Sequence, residues 1–132
     1  MAQITTTIDE GLDLTERTVT GELSTAEVFA VFEQFYRGKP TKRVLWDITA
    51  ADIGTITSAD FSRIAAAVAQ YGVRFGEIKT AAVVSSDFAY GMTRMYQALR
   101  ERSMVKAPFM SFRSREEAIA WLTSDTPAEA ED

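Results

Sequence analysis

Residues 79–102 read KTAAVVSSDFAYGMTRMYQALRER. The first six, Lys79 to Val84, make an apolar run too short for a helix and ending on two β-branched residues. Such a run fits a strand buried on both faces. Only Ser85 and Ser86 separate it from a second pattern, in which Phe88, Met92, Met95, Tyr96 and Leu99 recur with helical periodicity. Arg100 and Arg102 suit the C-terminal end of that helix's dipole. A strand that passes this quickly into a helix is paired with parallel strands reached by crossover connections, which are right-handed.

The flanking segments repeat the rhythm. Upstream, KRVLWDI (42–48) is another run buried on both faces. After the loop 49–56, Thr57 or Ser58 can cap a helix whose stripe is Phe61, Ile64 and Val68 and whose C′ residue is Gly72. Before that, Ser24 and Glu27 have capping-box spacing at the head of a helix carrying Val28, Phe29, Val31, Phe32 and Phe35, and Gly38 and Pro40 stop it. The first β-branched runs, 4–9 and 12–21, read as a hairpin turning at Glu10 and Gly11. Downstream, 107–112 is a short strand, and Ser114 and Glu117 form a second capping box for a helix with Ala118, Ile119, Trp121 and Leu122. A helix this short is marginal alone, so it must dock on sheet surface. The expected fold class is α/β: a mixed, mostly parallel five-stranded sheet flanked by helices in the order ββαβαβαβα. One domain covers residues 1–123, with a frayed acidic tail over 124–132.

Composition excludes more than it assigns. The 132 residues contain no cysteine and no histidine, which removes thiolate nucleophiles and metal sites, histidine triads and most zinc or iron centres. Net charge is −5, and no basic face stands out, so no nucleic-acid partner is expected. The N-terminus lacks a targeting pattern and no apolar stretch approaches a membrane span; the expectation is a soluble cytoplasmic protein. No Gly-rich phosphate loop sits between a strand and a helix, and the spacing of Asp47, Asp52, Asp60 and Asp87 matches no cation loop. No catalytic residue, metal or cofactor is expected.

The element order, joined to the terminal pattern of Phe112, Glu117, Ala118, Trp121 and Leu122, resembles the SpoIIAA-like family, related in fold to the STAS domains of sulfate transporters and anti-sigma factor antagonists. The resemblance runs from Ile4 to Leu122, with VLWDI as a weaker match. It implies a non-enzymatic module acting through regulatory protein contacts, or, as the alternative, a carrier or sensor of a small nonpolar, lipid-like ligand, with peripheral membrane contact. In the anti-sigma antagonists an Asp-Ser-Ser-Gly segment carries a phosphorylated serine. Here TSAD (57–60) stands in its place, so Ser58 keeps a hydroxyl while the rest of the pattern is absent, and a plain N-cap accounts for the same letter.

Two sets of residues are candidate sites. Thr57, Ser58, Asp60, Ser86 and Ser114 belong to helix starts at the carboxyl ends of the parallel strands, the edge where open α/β sheets bind ligands and where an anion or a partner is expected; caps are needed there in any case. Phe29, Phe32, Phe35 and Tyr36 span more than one helical stripe and, with Tyr90, are candidates for an apolar surface or pocket. Core packing is the default for them, and a homodimer contact is the sharper expectation. Arg37, Lys39, Lys42 and Arg43 follow and suit an anionic membrane, although such loop charges are commonly only solvated.

Overall fold

The computed structural model describes residues 1–75, 77–102 and 107–124. Within them the chain runs through β1 (Gln3–Asp9), β2 (Leu14–Glu22), α1 (Thr25–Arg37), β3 (Arg43–Asp52), α2 (Ser58–Phe75), β4 (Lys79–Val83), α3 (Asp87–Glu101), β5 (Phe109–Phe112) and α4 (Arg115–Leu122). The order is the expected one. The strands form one sheet in sequential order β1-β2-β3-β4-β5, with β1 antiparallel to β2 and the remaining pairs parallel. The tail over 125–132 lies outside the described residues.

A sequential order of parallel strands with crossovers of one hand places every crossover helix on the same face. Val28 of α1, Phe61 and Ile64 of α2, and Ala89 and Tyr96 of α3 accordingly share one core with Val19, Ile48 and Val84. The opposite face is covered by α4, where Ala118, Trp121 and Leu122 pack on Leu14, Leu45, Ala81 and Val83. This is why an eight-residue helix holds its shape. Its ends are tied as well as its apolar face. At the start, Arg115 makes two hydrogen bonds to Glu16 of β2, 2.8 and 2.7 Å. At the end, Arg43 Nε donates to the Leu122 carbonyl at 2.8 Å and Lys79 Nζ donates to the carbonyl of Trp121. Two sheet cations thus satisfy carbonyls that a helix C-terminus leaves orphaned.

Three local expectations are corrected. α2 does not end at Gly72 but runs another turn to Phe75, because Tyr71 and Phe75 pack on Tyr36 of α1 and offset the ~1 kcal/mol helix cost of glycine. In α3 the buried face is Ala89, Thr93, Tyr96 and Arg100, while Phe88, in the first turn, is 56% exposed. Leu12 lies in the hairpin turn, exposed, with its N–H donated to Asp9 Oδ1 at 3.1 Å.

Candidate functional site

β2 alternates in a way that places a charge indoors. Leu14 joins the α4 side of the sheet and Glu16 pairs with Arg115 of α4, so Thr15, Arg17 and Val19 point toward α1, where all three are buried. Trp46 stands beside Arg17 in the parallel register. Above these strands the helices leave a cavity of about 100 Å³, about three water molecules' share of liquid volume. Its lining is almost wholly apolar: Trp46, Ile48 and Phe109 from the sheet, Phe32, Phe35 and Tyr36 from α1, Phe61 and Ile64 from α2, and Tyr96 from α3. The rings brace one another. Phe32 meets Trp46 edge to face at 6.5 Å, and Tyr36 stacks on Tyr71 at 4.0 Å with 10° between the planes. Burial pushes the pKa of Tyr36 up, and that of Tyr96 likewise, so both phenols stay neutral at physiological pH.

Two guanidinium groups border the cavity, and their surroundings differ. Arg100 is satisfied: Nη1 donates to the Tyr96 hydroxyl at 3.0 Å and Nη2 to the Ala107 carbonyl at 2.6 Å. Arg17 is only 3% exposed. Its guanidinium carbon lies 4.9 Å from the Phe35 ring centroid and 4.8 Å from that of Trp46. Among the described residues it has no hydrogen bond and no carboxylate partner. Burial pushes its pKa down to about 10, with Tyr36 opposing, so it remains a cation at neutral pH. Arg17 and Phe35 also border an open groove between β1 and α1 with Ile4, Thr6, Gln34 and Lys39. The pair therefore forms the partition between groove and cavity.

The expected site residues fall into separate places. Of the helix-1 group, Phe32, Phe35 and Tyr36 line the cavity; Phe29 packs on the core beside Phe32 and under Arg63. All four are half-buried. Tyr90 stands apart, between Arg113 at 4.5 Å and Arg94, which donates to its hydroxyl at 3.2 Å. At the carboxyl edge of the sheet the hydroxyls act as caps. The cap of α2 is Thr57, whose Oγ1 accepts the Asp60 N–H at 3.1 Å while Asp60 Oδ2 accepts the Thr57 N–H at 3.0 Å. Ser58 is instead the exposed first residue of that helix. Ser86 accepts from Ala89 N–H at 3.0 Å, and Ser114 from Glu117 N–H at 3.3 Å. The α4 start belongs to the opposite face of the sheet from the other two. The edge carboxylates are engaged locally: Asp47 with Thr49, Asp52 with the Gly54 N–H, and Asp87 with Arg113 at 2.8 Å.

Arg17 and Tyr71 join the site with no motif to mark them, and Trp46 and Arg100, expected only as a strand residue and a dipole partner, reach it too. For Arg17 a signal exists: it is in phase with Val19, two residues on. Leu12 and Leu14, which lie in the opposite phase, mask it, since they point to a β2 that buries a single face.

No family model matches the chain, and no curated protein matches it. Solved structures do. An uncharacterized protein of the DUF3478 family from Shewanella loihica PV-4, described as having a SpoIIAA-like fold, superimposes with a TM-score of 0.51 at 17% identity, covering 92% of this chain and 93% of that one. An antisigma-factor antagonist STAS domain from Rhodobacter sphaeroides covers 96% and 95%, with a TM-score of 0.33 at 13% identity. The strand order, the single antiparallel edge pair and the terminal helix, together with the first of these likenesses, show that the chain has a SpoIIAA-like fold.

Proposed function

We propose that the protein is a non-enzymatic binding module that takes a small, largely nonpolar ligand in the cavity between the sheet and α1, α2 and α3. The observation that carries this is the ring-walled space at the centre of that layer, where protein interiors are otherwise close-packed with few voids larger than a water molecule. An engineered cavity of comparable size, about 150 Å³, takes up benzene. The aromatic rings supply contact area at little conformational cost. Among the described residues that line it, the cavity places no nucleophile beside a base.

A second reading, regulation through protein contacts, is favoured by Phe88, a large apolar ring left exposed at the start of α3 beside the Asp87–Arg113 pair. A homodimer through α1 would be built from the outer edges of half-buried rings. For membrane contact the basic cluster is divided: Arg37 pairs with Glu33 at 2.7 Å and Arg43 is tied to α4. Native mass spectrometry of protein purified without denaturant, together with a benzene titration, tests the proposal. A copurified small molecule, or saturable benzene binding that raises the melting temperature, is expected. A stable homodimer with neither would favour the interaction module instead.

A further inference from the structure

A buried charge without a partner is costly in proportion to the water it has lost, and proteins keep such groups paired or hydrogen-bonded. Arg17 comes close to breaking that rule: it is 3% exposed and no described residue accepts its N–H groups, although its nitrogens are not fully enclosed. The aromatic faces of Phe35 and Trp46 attract its charge, but a cation–π contact accepts none of the five N–H donors of a guanidinium. Arg100, at the same cavity, shows what a structural arginine looks like in this fold, since its donors reach the Tyr96 hydroxyl and the Ala107 carbonyl. Resting on the cavity reading above, we propose that the ligand is a compact monocarboxylic acid, its carboxylate held by Arg17 and its apolar body lodged among Phe32, Tyr36 and Trp46. The donors select the head group: the guanidinium of Arg17 offers paired N–H groups that match the two oxygens of a carboxylate, while those of Arg100 go to the Tyr96 hydroxyl and the Ala107 carbonyl. The cavity volume of about 100 Å³ selects the body: a single ring or a short chain, not a full-length fatty acyl tail.

The test titrates the full chain with two acid–neutral pairs, benzoate with benzamide and hexanoate with hexan-1-ol, at pH 7. The readout is the pair of indole N–H signals in ¹H–¹⁵N spectra. Trp46 lines the cavity and Trp121 lies on the other face of the sheet, so only the Trp46 signal should move. In at least one pair the acid should bind ten or more times tighter than its neutral partner, and Arg17→Met should abolish that preference while retaining the neutral compound. A preference below tenfold in both pairs overturns the carboxylate assignment and leaves the cavity reading standing, with water as the partner of Arg17. Persistence of the preference in Arg17→Met overturns it equally. If no compound binds and none copurifies, both readings fall. Should Arg17→Met not fold, the wild-type pairs and the Trp46–Trp121 contrast decide alone.

Discussion

Replacing Trp121 by alanine should destabilise the fold by about 3 kcal/mol. The indole is 8% exposed, packs on Phe112 with ring centroids 5.7 Å apart, and lies under Lys79 Nζ at 4.3 Å. Burying a ring system of this size removes roughly 200 Å² from water, or about 5 kcal/mol at 25 cal/mol per Å². Against that, Trp121 Nε1 is buried without an acceptor; its unmet hydrogen bond costs ~1–3 kcal/mol that the substitution releases. Because α4 covers the face formed by Leu14, Leu45, Ala81 and Val83, loosening it also exposes apolar surface that binds a hydrophobic dye. Urea denaturation followed by far-ultraviolet circular dichroism measures the change, and Trp46 remains as an independent fluorescent probe of the other face. Trp121→Phe, which keeps a ring and removes the orphaned donor, should lose clearly less. A midpoint unchanged within error in Trp121→Ala would refute the argument that docking of this helix rests on its apolar face, and would leave the sheet cations as its anchor.

At the α2 start, Thr57→Ala should cost about 1 kcal/mol as a lost cap, whereas Ser58→Ala should stay within about 0.5 kcal/mol; the reverse order in denaturant midpoints would reassign the cap. Ser58 should not serve as a phosphoswitch, and recovery of its phosphopeptide from native material, with altered partner binding in Ser58→Asp, would overturn that. Arg43→Ala should cost about 2 kcal/mol, as a charged donor lost from the Leu122 carbonyl, with hydrogen exchange accelerating first in α4. The Glu27 carboxylate accepts the N–H groups of Ser24 and Ala2, and these bonds, that of Ser24 foremost, hold its pKa below the ordinary 4.5. Its stabilisation is therefore complete above that value and is lost as pH falls through the lower folded-state pKa; Glu27→Gln should flatten the acid limb of a melting-temperature profile below about pH 4.5, and an unchanged limb would remove Glu27 from the cap.

Much of this molecule is written in local chemistry. Capping residues at Ser24, Ser86 and Ser114, apolar runs at 43–48 and 79–84, and helical spacing between them declare the order of elements, because each signal acts within one or two turns of chain. The same locality explains what was hidden. Whether α2 stops at Gly72 depends on Tyr36, thirty-six residues earlier, whose stacking on Tyr71 outweighs the glycine. Which face of α3 is buried depends on how it packs on β5 and α2, a contact that Phe88 falls outside. The placement of α1, α2 and α3 on one side and α4 alone on the other follows from the handedness of crossovers acting on a sequential strand order, and the order of strands is a property of pairing, not of any segment. Arg17 shows the limit most clearly. Its periodicity puts it in phase with Val19, but that its neighbours would be Phe35 and Trp46, and that no carboxylate among the described residues would pair with it, emerges only when β2, α1 and β3 are packed together, because the partners of a buried charge are chosen by distance in space and not by distance along the chain.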